Sequence, residues 1–264
     1  MTDIGFIGAG QLGEPMVQRI LGAGHGVLAC ARRPELRDRL KRRGAEVTDS
    51  VQYLAESSDI VISCLFSDDQ LHRITAGPGG LIANARPSTI FASHTTGSIP
   101  SLEMLASAGL RVVDAPVSGT AEDIADGRLT VLVGGPSDAI DVVTPILASY
   151  ANTIIRTGVL GSALTLKLVN NALFAANVEL VVAAMHAVDE LGGEGSRLLE
   201  VLQHCSGGSR ASASIAAAVD VDTFGAAAGP FLKKDVAAYL SAIEQAGVRP
   251  SLLDLVVERG CWTD

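Results

Sequence analysis

The sequence predicts an α/β fold in which a doubly wound parallel sheet is followed by an all-α C-terminal domain. Three observations lead to this prediction. Within the 264 residues, short apolar runs alternate with helical patterns as far as about Thr157. Most of the runs are near-continuous Val, Ile and Leu, which is typical of strands covered on both faces. Beyond that point only helical patterns follow, so the predicted domains are residues 1–160 and 161–264.

The predicted elements follow in order along the chain. Candidate strands cover 3–8, 26–31, 59–65, 88–93, 111–116 and 129–135, with helical patterns between several of them at 11–23, 34–43 and 98–108. The second half has helical patterns at 162–191, 194–205, 209–219, 229–246 and 250–259. The first of these is long enough to lead the chain from one domain into the other. Because ligands usually bind in clefts between domains, we expect a ligand site beside this helix.

Composition excludes some functions. Hydrophobic residues make up 48% of the chain and charged residues 19%, and the net charge of −9 argues against a nucleic-acid-binding protein. The four cysteines match neither a metal-site spacing nor a disulfide framework, which indicates a reducing compartment. They are Cys30, Cys64, Cys205 and Cys261. No signal-peptide pattern precedes the first strand, and polar residues interrupt the best apolar run, so we expect a cytoplasmic protein without a membrane partner.

A glycine motif directly follows the first predicted strand and opens the first helix. In GFIGAGQLGEPM, Gly8 permits a tight turn, Gly10 lets the backbone approach a pyrophosphate, and Gly13 lets helix and strand pack closely. The helix N-terminus attracts the anion. The alternative is a glycine-rich turn without a ligand, but the position favours a Rossmann-type dinucleotide site. Its candidate residues are Gly8, Ala9, Gly10, Gln11, Leu12 and Gly13.

The end of the second strand favours NADP over NAD. An NAD site usually offers a carboxylate there, whereas this sequence has Arg32 and Arg33, whose guanidinium groups suit a phosphate. The alternative is that the basic segment is only a solvated helix face supported by i,i+4 pairs, Glu35–Arg39 and Asp38–Arg42. Arg32 and Arg33 differ from the rest because they precede Pro34, which opens the helix.

The long helix raises a second question. In LTLKLVNNALF, the polar residues Lys167, Asn170 and Asn171 share one side of a largely apolar helix. They either face water, with the lysine merely extending from an apolar surface, or line a pocket. The spacing by itself does not decide between these two interpretations.

Three further stretches complete an ordered set with the glycine motif. They are DAPVSGTAEDIADGRLTVLVGG (114–135), TGVLGSALTLKLVNN (157–171) and FLKKDVAAYL (231–240). Together the four stretches resemble the β-hydroxyacid dehydrogenase family, which includes 3-hydroxyisobutyrate dehydrogenase, and they cover nearly the whole chain. The resemblance implies an NADP-linked oxidoreductase acting on a small anionic 3-hydroxy acid, with a homodimer or homotetramer joined by the helical domains.

The resemblance also implies roles for individual residues. Lys167 is the expected acid/base and Asn171 positions the substrate beside it. Ser118 and Gly119 hold the substrate carboxylate, with Thr120 next to them, and Lys234 closes over cofactor and substrate. The family's remaining cofactor contacts correspond to Leu65, Phe66, Ser93 and His94. Thr120, His94 and Phe66 depart from the residues usual in the family, which leaves the substrate open.

The chemistry agrees with these roles. Reduction of a carbonyl needs a hydride on carbon and a proton on oxygen, and an ammonium group can stabilise the alkoxide and deliver the proton. Asn171, one helical turn on, can donate a hydrogen bond to the same oxygen. Two alternatives stay open: an imine reductase, although such enzymes generally have Asp or Tyr at the lysine position, and a catalytically silent NADP-binding or scaffolding protein.

Overall fold

The computed structural model describes residues 3–218 and 220–260. They form two compact units, unit 1 ending at Lys167 and unit 2 beginning at Leu168. The observed division therefore lies inside the long helix, whereas the sequence predicted it between residues 160 and 161.

The described residues of unit 1 contain a nine-stranded sheet. The strands are β1 (Ile4–Ile7), β2 (Val27–Cys30), β3 (Glu46–Thr48), β4 (Ile60–Ser63), β5 (Ile90–Ser93), β6 (Arg111–Asp114), β7 (Val117–Ser118), β8 (Leu129–Gly134) and β9 (Ala151–Gly158). Their order is β3-β2-β1-β4-β5-β6-β8-β7, with β9 paired to β8. The six strands from β3 to β6 in this order are parallel, and β8 is antiparallel to β6 and β7. This is the doubly wound order, so the predicted Rossmann-type fold is confirmed.

Helices occupy both units. Those of unit 1 are α1 (Gly13–Gly22), α2 (Pro34–Arg42), α3 (Val51–Ser57), α4 (Asp68–Thr75), α5 (Leu81–Asn84), α6 (Ile99–Ser107), α7 (Ala121–Ala125) and α8 (Ser137–Leu147). Helix α9 (Ser162–Glu190) runs from unit 1 into unit 2. The remainder of unit 2 consists of α10 (Arg197–His204), α11 (Arg210–Ala217), α12 (Val221–Gln245) and α13 (Leu252–Arg259). The helical second domain is therefore also confirmed.

The core of unit 1 follows the apolar pattern of the sequence. The residues of β1, β4 and β5 are buried throughout, as strands covered on both faces should be. Helix α1 buries Met16, Val17 and Ile20 on one face, the spacing of an amphipathic helix. Full burial of each such side chain contributes roughly 1.5–3 kcal/mol.

The sequence prediction missed β3, β7 and β9. These strands lack a continuous apolar run: β9 is mostly exposed and reads ANTIIRTG, and β7 has only two residues. Helix α12 begins at Val221 rather than 229 and continues through Pro230. The last residue of the predicted helix 209–219, Val219, lies outside the described residues.

The ion pairs of α2 also differ from expectation. Arg39 does not pair with Glu35 in the way the i,i+4 spacing suggested; it donates two hydrogen bonds, of 2.9 and 2.8 Å, to the carboxylate of Glu14. This pairing lowers the pKa of Glu14, chiefly through the hydrogen bond from Arg39. The bidentate contact links α2 to α1 instead of stabilising α2 alone.

Helix α9 is more apolar than its interrupted sequence suggested. It contains an 18-residue window with a mean hydropathy of 1.5, and by length and composition alone it could cross a membrane. Core helices of soluble proteins have the same properties, and 33% of this window is buried inside the protein. We expected polar residues to interrupt any apolar run of transmembrane length, and by length and composition this expectation is wrong. The rest of the window is not buried within the chain.

Candidate active site

Several predicted site segments meet at one edge of the sheet. Gly8 follows β1, Arg32 follows β2, Leu65 follows β4, and Ser93 is the last residue of β5. Because these strands are parallel, their carboxyl ends lie at the same edge. The order reverses between β1 and β4, and crevices at such reversal points are where open α/β sheets bind ligands.

The glycines of the first turn have three different geometries. Gly8 has a φ of +94°, and a Cβ there would lie 2.2 Å from the carbonyl oxygen of Cys64. A Cβ on Gly13 would lie 2.2 Å from the carbonyl oxygen of Gly8, so this residue allows the turn and α1 to pack together. Among the described residues, a Cβ on Gly10 would meet nothing within 4 Å. The backbone is therefore tight at two positions and open to a ligand at the third.

The N-terminus of α1 is available to an anion. Its N-cap residue, Leu12, provides no capping side chain, and Gly10 and Gln11 beside it are exposed. The first amide groups of a helix have no partner within the helix and carry partial positive charge. The turn therefore fits the pyrophosphate of a dinucleotide cofactor.

Arg32 and Arg33 are exposed in the loop after β2. Arg33 is the N-cap residue of α2, with Pro34 in the first turn. Within residues 3–218 and 220–260, neither guanidinium has an ion-pair partner, in contrast to Arg37 and Arg39 of the same segment. Both arginines are therefore free to bind a phosphate group, as the predicted use of NADP would require.

Leu65 and Phe66 lie in the loop after β4, from which Cys64 separates them. Leu65 is partly exposed, and the side chain of Phe66 is 45% exposed. The backbone N–H of Phe66 donates to Oε1 of Gln70 at 3.1 Å, which fixes the loop against α4. An exposed aromatic ring at the carboxyl end of a central strand can cover a flat ring of a ligand.

Ser93 and His94 are both buried, and His94 faces into the protein. Its Nδ1 lies 2.5 Å from the carbonyl oxygen of Ala115, and its Nε2 lies 2.9 Å from the hydroxyl of Tyr150. Because a carbonyl only accepts, Nδ1 carries the proton and Nε2 accepts from Tyr150. Burial lowers the pKa of His94 to about 4. The imidazole is thus neutral with both nitrogens bonded. Because the backbone N–H of His94 donates to the carbonyl oxygen of Ser63 at 2.8 Å, only its backbone carbonyl is left for the predicted cofactor contact.

The expected carboxylate-binding turn lies after β6 and is exposed. Gly119 has a φ of +141°, and Ser118 and Thr120 lie on either side of it. Thr120 caps α7: its N–H and its hydroxyl both donate to Oδ2 of Asp123 at 2.9 Å. These hydrogen bonds lower the pKa of Asp123. The side chain of Thr120 would have to leave this capping box to bind a substrate, so Ser118 and Gly119 are the open positions.

Lys167 is buried, with only 8% of the residue exposed. Asn171 is half-buried, whereas Asn170 is exposed. The same side of α9 continues with Phe174 and Val178, and the Phe174 ring lies 6.4 Å from that of Phe224. The apolar surroundings extend along the face that the lysine begins, so Lys167 does not simply extend into water.

Asn171 and Lys234 meet at one carboxylate that the sequence prediction did not include. The amide nitrogen of Asn171 donates to Oδ2 of Asp235 at 2.6 Å, and Nζ of Lys234 lies 2.7 Å from Oδ1. The amide oxygen of Asn171 accepts from Asn170 at 3.0 Å. These two hydrogen bonds fix the orientation of the Asn171 amide. The sequence feature that could have identified Asp235 is its position next to Lys234 in the K-D pair.

Within the described part of the chain, no group of His, Cys, Asp and Glu side chains could hold a metal ion. The cofactor that the geometry fits is a dinucleotide. Comparison with known proteins agrees. Residues 3–161 match the NAD binding domain of 6-phosphogluconate dehydrogenase, and residues 161–259 match the NAD-binding domain of NADP-dependent 3-hydroxyisobutyrate dehydrogenase.

The chain belongs to the β-hydroxyacid dehydrogenase family. It is 30% identical to 3-hydroxyisobutyrate dehydrogenase of Pseudomonas aeruginosa, over 79% of this chain and 71% of that protein. It is equally similar, over the same shares, to an NAD-dependent L-serine dehydrogenase of that organism. Among solved structures, 3-hydroxyisobutyrate dehydrogenase of Mycobacterium tuberculosis with L-serine superimposes with a TM-score of 0.84 at 26% identity, covering 98% of this chain and 92% of the other. The resemblance seen in the sequence is thus confirmed, and the family identifies the protein as an oxidoreductase with NAD(P)-binding domains.

Proposed function

We propose that this β-hydroxyacid dehydrogenase transfers a hydride between NADP(H) and a small 3-hydroxy acid or its aldehyde or keto partner, with Lys167 as general acid/base. The observation that carries the proposal is the burial of Lys167 on α9, one turn before an asparagine held by Asp235. Helix geometry puts the two side chains on the same side of α9.

Different residues are proposed to transfer the proton and to bind the substrate. The nicotinamide, when bound, supplies or accepts the hydride. Lys167 gives a proton to the carbonyl oxygen in the reducing direction and takes it from the hydroxyl in the oxidising direction. Asn171 keeps a second N–H on the nitrogen that donates to Asp235, and this N–H can bind the same oxygen. The exposed Ser118–Gly119 turn offers hydroxyl and backbone donors to a carboxylate.

The substrate class follows from the relatives as well as from the turn. The relatives are named for 3-hydroxyisobutyrate and L-serine, each of which joins a carboxylate to a hydroxyl on the third carbon. We infer that this chain binds the same pair of groups. The two should bridge the Ser118 turn and Lys167.

Lys167→Ala tests the mechanism. We expect kcat to fall by roughly 10²–10⁴, the usual contribution of a general acid/base, while the Kd for NADPH stays within about two-fold. Lys233→Ala, which removes an exposed lysine beside Lys234, is the matched control and should keep wild-type turnover. Undiminished turnover of the Lys167 variant would refute the role.

The choice of substrates separates the alternatives. The wild-type protein should oxidise 3-hydroxyisobutyrate or L-serine, or a close analogue, with NADP. Reduction of cyclic imines in place of these acids would favour an imine reductase. Tight NADPH binding without turnover of any compound in the panel would favour a silent binding or scaffolding protein.

We propose NADP rather than NAD because Arg32 and Arg33 are exposed where the adenosine ribose is expected, and neither has an ion-pair partner among the described residues. The double variant Arg32→Ala/Arg33→Ala should weaken NADPH binding by about 10–100-fold and leave NADH binding nearly unchanged. The reason is that only NADPH carries the additional phosphate that the two guanidinium groups would bind. Arg42→Ala, on the exposed end of α2, is the control. Equal losses for both cofactors would show that the arginines do not read the phosphate.

We also propose that the protein is a homo-oligomer. Helix α9 presents an exposed apolar stripe, defined by Leu166, Val169, Leu173 and Leu180, each 42–55% exposed. Their spacing puts them on one face. A second copy is the occupant we favour over lipid, because Lys167, Asn170 and Glu179 on the same helix would be costly in a bilayer. We also propose a cytoplasmic location, because the cysteines match no disulfide framework.

A further inference from the structure

Asp114 is a buried carboxylate that contacts the start of α9. It ends β6 and is only 1% exposed. Its Oδ1 accepts the backbone N–H of Gly161 at 2.9 Å, and its Oδ2 accepts that of Leu164 at 2.8 Å. Both donors belong to the first turn region of the helix that carries Lys167.

These two contacts cap the N-terminus of α9 with a side chain that is distant from the helix in sequence. The first amides of a helix lack partners within it, and a negative charge at this end is stabilised by the helix dipole. Space is reserved for the carboxylate: a Cβ on Gly134, which pairs with Asp114, would lie 2.6 Å from Oδ1 and 2.7 Å from Oγ of Ser162. A residue without a side chain is therefore required opposite Asp114.

Asp114 is connected to both halves of the proposed reaction site. Along the chain it directly precedes residues 115–119, which end in the exposed Ser118–Gly119 turn. Through its hydrogen bond to Leu164 it fixes a point less than one helical turn before Lys167. All of these residues belong to unit 1. A single carboxylate thus lies between the start of α9 and the chain segment that leads to the Ser118–Gly119 turn.

We propose that Asp114 is a positioning residue, which sets the distance from the Lys167 ammonium to the substrate held at Ser118. The inference rests on the proposed function. A misplacement of about 1 Å between reacting groups can cost on the order of 100-fold in rate, so a bond at the base of the helix has kinetic consequences.

Asp114→Asn is the direct test. The amide can accept only through its oxygen, so its NH₂ group would face one of the two backbone donors and the first turn of α9 would have to move. We expect kcat for the 3-hydroxy acid to fall by about 10–100-fold, while the Kd for NADPH stays within about two-fold. The primary deuterium isotope effect on kcat should rise, because hydride transfer becomes rate-limiting. Hydrogen exchange in the first turn of α9 should become faster.

Gly134→Ala is a second variant, which keeps the Asp114 carboxylate but displaces it. It tests the positioning role if Asp114→Asn fails to fold. It should reproduce the loss in kcat. Ser50→Ala is the control for a lost helix cap, because Ser50 caps α3, which carries no predicted site residue. It should lower thermal stability without changing kcat or the isotope effect.

The outcomes separate this inference from the proposed function. The positioning role alone would be overturned if wild-type turnover depends on Lys167 but both Asp114→Asn and Gly134→Ala keep a kcat within two-fold of wild type. Equal losses of kcat and NADPH affinity would also overturn it, since they indicate general damage to unit 1. Absence of turnover in the wild type with every substrate would instead remove the proposed function.

Discussion

Replacing His94 by Gln should make the stability of this protein less sensitive to acid. In the folded protein, the neutral imidazole of His94 donates to Ala115 and accepts from Tyr150 in a fully buried position. A glutamine amide has one donor end and one acceptor end that can serve the same two partners, but it does not titrate. The substitution therefore removes the proton equilibrium and keeps the hydrogen-bonding capacity.

The magnitude follows from the pKa of His94. Burial lowers it from the ordinary value of 6.5 to about 4 in the folded protein. The unfolded chain therefore binds the proton more readily, so stability is full above pH 6.5 and is lost as pH falls from 6.5 towards 4. Between pH 7.5 and 4.5, this linkage removes about 2.5 kcal/mol from the free energy of unfolding.

The assay is urea unfolding followed by far-UV circular dichroism at several pH values for both proteins. At pH 7.5 the variant should be less stable by about 1–3 kcal/mol, because the edge-on contact between the His94 and Tyr150 rings is lost. At pH 4.5 most of this difference should have disappeared. Other titrating groups are common to both proteins and cancel in the comparison.

His72→Gln, which removes an exposed imidazole from α4, is the matched control. Parallel stability curves for wild type and His94→Gln across this pH range would refute the reasoning, since they would mean that His94 is charged as readily in the folded protein as in the unfolded chain.

Two further predictions concern the glycine turn and α9. Gly8→Ala should destabilise the protein by at least about 2 kcal/mol, because its φ of +94° and the nearby Cys64 carbonyl exclude a Cβ. Gly10→Ala should change the free energy of unfolding by less than about 1 kcal/mol but weaken NADPH binding, and equal stability losses in the two variants would contradict this difference. Leu173→Glu should dissociate the oligomer in light scattering, whereas the exposed Val248→Glu should not; an unchanged mass would exclude the α9 stripe as the interface.

Much of the fold could be predicted because its signals are local. The buried parallel strands are short apolar runs, and each of the six candidates corresponds to an observed strand. The missed strands β3, β7 and β9 are short or exposed, so their pairing depends on neighbours rather than on their own composition. For the same reason the pairing of Arg39 with Glu14 could not be read from the spacing within α2.

The candidate site could likewise be predicted only where its signals are local. The roles of Gly8 and Gly13 follow from backbone sterics at the strand–helix junction, and the phosphate site at residues 32 and 33 stays a prediction from residue type. The contacts of His94 were not predictable, because Tyr150 is 56 residues away and only the sheet brings it near. Asp235 was overlooked because the resemblance assigned its neighbour, Lys234, and because its partner Asn171 lies 64 residues earlier.

The sequence by itself determined the two-part architecture, the dinucleotide turn and the family, since these depend on local periodicity, glycine geometry and ordered motifs. Only the tertiary structure decided that His94 faces inward, that Thr120 is engaged in a helix cap, and that Asp114 holds the start of α9. The physical reason is that hydrogen bonds of buried polar groups are satisfied by whichever partners packing brings within about 3 Å. For Asp114 those partners lie 47 and 50 residues further along the chain.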